Sequence, residues 1–322
     1  MADILFIKTS SLGDVIHHMP AVTDARRARP GDRLTWLVEE DCVPLVQLHP
    51  AVDDVIPVAS RRWRREGLMS AAVLREMAAF RRTIQARRYD LVVDTQGLFR
   101  TGLMTWLAHG MRHGYDRDSI REPLASMFYD ARHAVSRDLH AVERNRLLTG
   151  LSLGYVLQGA PDYGLDRGAL REQGAAPYAV LLHATARADK EWPVAHWIGL
   201  KDTFAKYDVD LLLPWGRDDE RERAVRIAQG LSEKGLSRAR VVDRLPLDGV
   251  AKLIAGASFV VGVDTGIMHL AAALGVPLVA IFAGSQPKLT GPVGPGPMDI
   301  VGTRGRAPSV DEVAQALVRV AP

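Results

Sequence analysis

Short runs of Val, Ile and Leu alternate along the chain with longer segments in which apolar residues recur every three or four positions. Runs that are apolar at nearly every position are typical of strands covered on both faces, and the intervening periodicity predicts helices. In the first half, the predicted strands are 4–8, 34–38, 54–58 and 90–94. The predicted helices of this half lie near 14–29, 41–48, 68–88 and 98–108.

The second half repeats this alternation. Its predicted strands are 178–183, 209–214, 240–242, 259–263 and 277–282. Its predicted helices lie near 194–206, 217–231, 247–255 and 267–274, and a stretch rich in Gly and Pro, 291–308, precedes a last helical segment at 310–320. Strands that alternate with helices in this way indicate an α/β protein with doubly wound parallel sheets.

The pattern breaks between 151 and 177, where Gly, Pro, Gln and Asp are frequent, as is typical of a linker. We therefore predict two doubly wound domains that face each other across a cleft. The first domain is expected to span 1–160, the linker 161–176 and the second domain 177–308. The final helix, at about 309–322, is expected to be able to pack back onto the N-terminal domain.

Composition narrows the class of protein. Of the 322 residues, 47% are hydrophobic and 25% are charged, which argues against disorder. No apolar run approaches the roughly 18 residues that a membrane-spanning helix needs. The first residues show no export signal, and the single cysteine, Cys42, excludes an intrachain disulfide. We expect a cytosolic setting from these features.

Charge is unevenly distributed along the chain. The formal net charge is only +3, yet residues 61–88 hold nine arginines against two glutamates. A basic cluster of this kind predicts an anionic partner, such as phosphate, carboxylate, a membrane headgroup or nucleic acid. For 75–88 a solvated helix face explains the charge equally well. The densest part surrounds Trp63 and consists of Arg61, Arg62, Arg64 and Arg65.

The loops that follow the predicted strands are the places to look for a site, because parallel α/β sheets bind ligands beyond the carboxyl ends of their strands. After the first strand, Ser10, Ser11 and Gly13 form a turn of small residues, and Asp14 falls in the first turn of the next helix. Asp14 fits two roles, a helix-capping carboxylate or a general base.

Three loops of the second half carry further candidates. Asp264, Thr265 and Gly266 begin a helix after a buried strand, and His269 follows on its first turns, so the backbone N–H groups there predict an anion site. Capping by the same residues is the alternative. After the strand that ends at His183, Thr185 and Lys190 lie in a loop where a lysine can neutralise a diphosphate, and an exposed loop lysine without a ligand is the alternative.

The third loop, "LPWGRDDERERA", leads into a helix that begins with four acids. Most of them are expected to be solvated and to stabilise the start of the helix, and at most one is expected to accept from ribose hydroxyls. Two nucleotide-binding signatures are missing from the chain, GxGxxG after the first strand and GxxxxGK[ST]. Neither a dinucleotide fingerprint nor a P-loop is therefore predicted, and no His/Cys spacing suggests a metal.

Taken in order, "KTSSLGDV", "RRWR", "DTQGL", "REPLASMFY", "HAVERNR", "HATARADKEWP", "LPWG" and "VDTGIMHL" resemble the ADP-heptose:lipopolysaccharide heptosyltransferase family over nearly the whole chain. The "HAT", "RRWR" and "REPLAS" segments are most similar to the members that add the first heptose. The resemblance implies a GT-B arrangement of two Rossmann-like domains, with the acceptor on the first and the sugar nucleotide on the second. It also implies inverting transfer, without metal or cofactor, of L-glycero-D-manno-heptose from ADP-heptose to the first Kdo of Kdo2-lipid A.

The same resemblance assigns roles to residues of this chain. Asp14 matches the catalytic base, and Lys190 matches the lysine beside the diphosphate. The implied donor-binding residues are Thr185, Ala186, Lys190, Glu220, Asp264, Thr265, Gly266 and His269. The implied acceptor-binding residues are Ser10, Ser11, Gly13, Arg61, Arg62, Arg64, Arg65, Arg121 and Arg144. Ala186 departs from the pattern, because relatives often carry a second threonine there.

The implied partners are ADP-heptose, Kdo2-lipid A and the cytoplasmic face of the inner membrane, and no nucleic acid is expected. Two alternatives stay open. One is a sibling heptosyltransferase that adds a later heptose. The other is a non-catalytic module that binds nucleotides or polyanions through the arginine cluster.

Overall fold

The computed structural model describes residues 1–236 and 238–321. The backbone divides into two compact units, Met1–Gly164 and Leu165–Pro322. Each unit contains one six-stranded sheet in which every neighbouring pair of strands is parallel. Within the described residues, no helix has both the length and the apolar character needed to cross a membrane.

The first unit has the strand order β3-β2-β1-β4-β5-β6. Its strands are β1 (Asp3–Ile7), β2 (Arg33–Glu39), β3 (Asp54–Val58), β4 (Arg88–Asp94), β5 (His109–Tyr115) and β6 (Ala131–His133). Its helices are α1 (Leu12–Ala28), α2 (Val43–Val46), α3 (Ser60–Glu66), α4 (Ala71–Gln85), α5 (Phe99–Leu107) and α6 (Ala141–Leu153). Two short 3-10 turns lie at Glu40–Cys42 and Pro123–Phe128.

The second unit has the strand order β12-β11-β10-β7-β8-β9. Its strands are β7 (Tyr178–Leu182), β8 (Asp210–Leu213), β9 (Ala239–Val241), β10 (Val260–Val263), β11 (Leu278–Phe282) and β12 (Met298–Gly302). Its helices are α7 (Arg167–Leu170), α8 (Val194–Gly199), α9 (Lys201–Phe204), α10 (Asp218–Glu233), α11 (Leu247–Gly256), α12 (Gly266–Ala273) and α13 (Val310–Val320). A 3-10 turn covers Ala188–Lys190.

Both units are Rossmann-like, because in each sheet the order of strands reverses beside the first strand. The chain moves outward from β1 to β3 and returns to pair β4 with β1, and it moves from β7 to β9 and returns to pair β10 with β7. The crevice at such a reversal is where doubly wound sheets bind ligands. The loops after β1 and β4, and those after β7 and β10, are therefore the positions of interest.

The boundary between the units differs from the prediction. Residues 165–177 belong to the second unit and do not form a free linker. Arg167 anchors this segment, because its guanidinium donates to the carbonyls of Ala255 and Ala257, both at 2.9 Å, and of Gly275 at 3.2 Å. Each of these bonds satisfies a backbone carbonyl at the end of a helix or turn.

The last helix also differs from the prediction for 309–322. Helix α13 buries Val313, Ala316 and Leu317 in the same core as β7, β10 and β11 of the second unit. It therefore completes the second unit and does not return to the first. Pro322 lies outside the described residues.

Six of these strands and helices were not predicted from the sequence: β5, β6, β12, α3, α6 and α7. Strand β5 reads HGMRHGY and lies near the sheet edge, so it has no continuous apolar run. Helix α6 has polar residues on its buried side, among them Arg146, whose Nε lies 2.7 Å from Oδ2 of Asp24 on α1. Because charged and polar residues occupy buried positions of α6, its apolar residues do not recur at helical spacing, and the sequence pattern does not predict the helix.

Candidate functional site

Asp14 occupies the first turn of α1 and is half-buried. Its Oδ2 atom accepts from the backbone N–H of Ser11 at 2.7 Å and from the Ser11 hydroxyl at 3.0 Å. The capping interpretation is thus correct for one carboxylate oxygen. No donor among the described residues is hydrogen-bonded to the other oxygen, Oδ1. The carboxylate is therefore oriented by one oxygen and has the other available as a proton acceptor.

The loop after β1 is tied to the loop and helix after β4. The N–H of Ser10 donates to Oε1 of Gln96 at 3.2 Å, and Arg100 of α5 donates to the Ser10 hydroxyl at 2.7 Å. Gly13 is buried in the first turn of α1. These contacts fix the turn that carries Asp14. Arg100 was not predicted as a site residue, because nothing in the sequence pairs it with Ser10.

Lys8 is a buried cation beside this turn and was also missed. Its Nζ atom donates to the Thr95 carbonyl at 2.9 Å and to Oδ1 of Asn145 at 3.2 Å. Burial lowers the pKa of Lys8, and the carboxylates of Asp14 and Asp94 oppose that shift. Lys8 is therefore within electrostatic range of Asp14. In the sequence it marks only the end of an apolar run.

Arg144 and Arg121, both predicted as acceptor-binding residues, belong to the same electrostatic neighbourhood. Besides burial, their charges lower the pKa of Lys8. The Arg144 guanidinium lies 4.7 Å from the centre of the Tyr115 ring and donates to the Ser119 carbonyl at 2.5 Å. Its Nε is buried and has no hydrogen-bond partner among the described residues. An anion would satisfy this donor.

The four arginines around Trp63 do not behave alike. Arg62 is already paired: its Nε lies 2.9 Å from Oε1 of Glu40, and its Nη2 lies 2.8 Å from Oε2 of Glu76. The carboxylate of Glu66 also lies 3.4 Å from Nη1 of Arg62, so three carboxylates share its charge within the unit, and the binding of an acceptor by Arg62 stays a prediction. The remaining three side chains are exposed: Arg61, Arg64 and Arg65.

In the second unit, Lys190 and Asp264 form an ion pair with 2.7 Å between Nζ and Oδ2. Ser285 donates to the same Oδ2, and the Thr185 hydroxyl donates to the backbone carbonyl of Asp264 at 3.0 Å. Thr185 and Asp264 are buried, whereas Ala186 is exposed. The loops after β7 and β10 are thus joined at the reversal of the sheet. Ser285, after β11, was not predicted.

Helix α12 begins in the same place, with Thr265 as its N-cap and Gly266 as its first residue. Its first-turn N–H groups form the anion-favouring end of a helix. His269 is buried in this helix. Nearby, a side chain on Gly284 would place its Cβ 2.5 Å from the Asp189 carbonyl, so a glycine is required for the 188–190 turn to approach. That turn carries Lys190.

Glu220 lies at the start of α10, after β8. Its Oε2 accepts from the N–H groups of Gly216 at 2.8 Å and Arg217 at 3.2 Å, and Arg217 also approaches Oε1 at 3.3 Å. Glu220 therefore caps α10, and its predicted contact with a ribose stays a prediction.

Among the described residues, no group of three or more His, Cys, Asp or Glu is arranged to hold a metal ion. Metal-independent chemistry stays a prediction.

Comparison with known proteins gives consistent matches. A family model described as glycosyltransferase family 9 (heptosyltransferase) matches residues 77–317. Lipopolysaccharide heptosyltransferase 1 of Escherichia coli K12 is 45% identical over 295 residues, which is 90% of this chain and 91% of that protein.

Among solved structures, E. coli heptosyltransferase WaaC with ADP superposes with a TM-score of 0.91 and 41% identity over 99% of this chain and all of the other. WaaC with ADP-2-deoxy-2-fluoro heptose gives a TM-score of 0.86 and 42% identity over 98% of each chain. These matches confirm the predicted fold class, α/β with two Rossmann-like domains of the GT-B type.

Proposed function

Because this chain belongs to glycosyltransferase family 9, the heptosyltransferase family, we propose that it moves L-glycero-D-manno-heptose from ADP-heptose to the first Kdo of Kdo2-lipid A. The chain is an ADP-heptose-dependent glycosyltransferase of lipopolysaccharide core synthesis. The observation that carries the choice of acceptor is the 45% sequence identity to heptosyltransferase 1, which extends over 90% of this chain. The proposed setting is the cytoplasmic face of the inner membrane, where a lipid-linked acceptor is presented.

The second unit is proposed to bind the donor. The first-turn N–H groups of α12 and the ammonium of Lys190 supply positive charge for a diphosphate without a metal. Asp264 holds Lys190 in position until phosphate oxygens compete for the ammonium. Thr185 fixes the loop by its bond to the Asp264 carbonyl. Lys190 then stabilises the negative charge that develops on the departing ADP.

The first unit is proposed to bind the acceptor. Asp14 takes the proton from a Kdo hydroxyl through Oδ1, while Ser11 holds Oδ2. As it loses its proton, the Kdo hydroxyl oxygen attacks the anomeric carbon of heptose. The bond from that carbon to the diphosphate oxygen breaks, ADP leaves, and the configuration at the carbon inverts. Arg144 and Arg121 are proposed to bind the carboxylates of the Kdo sugars. The buried N–H at Nε of Arg144 has no hydrogen-bond partner among the described residues, and a carboxylate oxygen would accept from it.

A donor-by-acceptor assay tests this proposal. The purified chain is incubated with ADP-heptose and either Kdo2-lipid A or its heptosylated product, and lipid masses are followed with and without added EDTA. Addition of one heptose to Kdo2-lipid A, unaffected by EDTA, is the expected result. Addition only to the heptosylated lipid would identify a sibling enzyme. Absence of transfer to both, with binding of polyanions that weakens steeply with salt, would indicate a non-catalytic module.

A further inference from the structure

A groove of about 630 Å³ lies on the first unit beside α3, α4 and α5. Its walls are mainly apolar and include Trp63, Phe80 and Leu107. Large side chains at its border are exposed: Leu68 by 52%, Leu103 by 40% and Trp106 by 58%. Exposed apolar side chains that adjoin one another in this way indicate an interaction surface.

Helix α4 explains why the groove is open. The helix has 15 residues, yet only Val73 and Ile84 are buried. Leu74 and Met77 are exposed by 46% and 37%. An amphipathic helix in a globular unit normally buries its apolar face. Helix α4 leaves much of that face uncovered and carries arginines beside it, which is typical of helices that lie in a membrane interface.

The charges around the groove are positive and unpaired. Arg64 and Arg81 line it, and Arg65 and Arg82 lie close to them in the sequence. All four are exposed, and no carboxylate among the described residues forms an ion pair with them. The two glutamates of this region, at 66 and 76, pair with Arg62. The surface is therefore complementary to an anionic partner.

One residue connects the groove to the candidate acceptor site. Arg100 lines the groove and donates to the Ser10 hydroxyl at 2.7 Å. Ser10 precedes Ser11, which holds the Asp14 carboxylate. A partner that binds in the groove would therefore lie next to the turn that carries Asp14.

We propose that this docking surface, formed by α3, residues 67–70, α4 and the exposed side of α5, binds a bilayer that contains anionic phospholipids. Leu68 and Trp106 enter the boundary between headgroups and acyl chains, and the arginines contact lipid phosphates. The inference rests on the proposed function, because an enzyme with a lipid-linked acceptor works at a bilayer surface. The occupant is the bulk anionic bilayer rather than a second copy of the chain or another protein.

Vesicle flotation of the full chain tests the proposal. The probes are vesicles of phosphatidylglycerol with phosphatidylcholine and vesicles of phosphatidylcholine alone. Leu68→Glu and Trp106→Glu are compared with Leu151→Glu, because Leu151 is exposed by 51% on α6, outside the groove. We expect binding to the anionic vesicles, a loss of about tenfold in each groove variant and no change in the control.

Equal binding by the groove variants and wild type would overturn the proposal, and so would equal binding to both kinds of vesicle. A dimer in sedimentation experiments that Leu68→Glu dissociates would overturn it in favour of a second copy. Transfer to acceptor dispersed in detergent separates this proposal from the proposed function. The groove variants are expected to retain that transfer, whereas a wild-type chain that binds vesicles without transferring heptose would refute only the enzyme assignment.

Discussion

The ammonium of Lys190 lies 2.7 Å from the carboxylate of Asp264, which joins the loop after β7 to the loop after β10. The two side chains are only 19% and 11% exposed, so the pair is better shielded from water than a surface salt bridge. Such a pair presents a lysine at the N-terminus of α12 in one orientation. A diphosphate bound there would meet a cation that is already placed.

Replacement of Lys190 is therefore expected to affect binding and chemistry together. Lys190→Ala removes the charge that faces the diphosphate and leaves Asp264 as an uncompensated anion, so kcat/KM should fall about 100-fold and the Kd for ADP should rise. Steady-state kinetics and calorimetry measure the two effects. Lys201→Ala, which removes an ion pair with Asp202 in the same unit, is the matched control. Kinetics of Lys190→Ala that match this control would remove Lys190 from the mechanism.

The arginines of the first unit are expected to separate into two classes. Arg144→Ala should raise the KM for the acceptor by about tenfold or more, because it removes a guanidinium with an unsatisfied buried N–H. Arg62→Ala should leave that KM within about twofold, since Arg62 is paired with Glu40 and Glu76. Acceptor titrations at saturating ADP-heptose give both values. The reverse order would show that the acceptor binds beside α3.

Acid is expected to destabilise the first unit through His49. Burial lowers the pKa of His49 from 6.5 to about 4. Between those values the unfolded chain binds a proton that the folded chain does not, so the free energy of unfolding falls as pH falls from 6.5 towards 4 and the full contribution is present above 6.5. From pH 7 to pH 5 the loss should be about 2 kcal/mol.

Urea unfolding at both pH values measures this loss. His49→Gln should be less stable at pH 7, because His49 is hydrogen-bonded to Thr23 and Met19, but its stability should depend less on pH. The exposed His109 provides the control substitution His109→Gln. An undiminished pH dependence in His49→Gln would mean that other groups cause the acid sensitivity.

The central strands could be predicted from sequence because their environment is uniform. Each of β1 and β7 is covered on both faces, so nearly every position is apolar and buried. Strand β5 is different, since a side chain on Gly114 would place its Cβ 2.2 Å from the ring of Tyr129. The tyrosine hydroxyl in turn donates to Asp94 at 2.8 Å. The residues of β5 are therefore constrained by tertiary contacts, and these contacts leave no periodic pattern of apolar residues in the sequence.

The same distinction holds for the site. Asp14 and Asp264 could be predicted as candidates because strand ends at a sheet reversal are identifiable from the order of elements. Lys8 and Arg100 were missed because their roles depend on contacts across the fold, to Asn145 and to Ser10. The ion pair of Arg62 with Glu40 was likewise not foreseen, because the two residues lie far apart in the sequence.

Substitution of Asp14 tests the mechanism most directly. In Asp14→Asn the side chain keeps its size but cannot take the proton of the attacking hydroxyl, and Ser11 keeps its hydrogen bond to the amide oxygen. The turnover number on Kdo2-lipid A should fall about 100-fold or more, while the Kd for ADP-heptose stays within about twofold of wild type. Asp118→Asn, at an exposed position of the same unit, should retain wild-type turnover. A turnover number of Asp14→Asn within about twofold of wild type would contradict the assignment of Asp14 as the base.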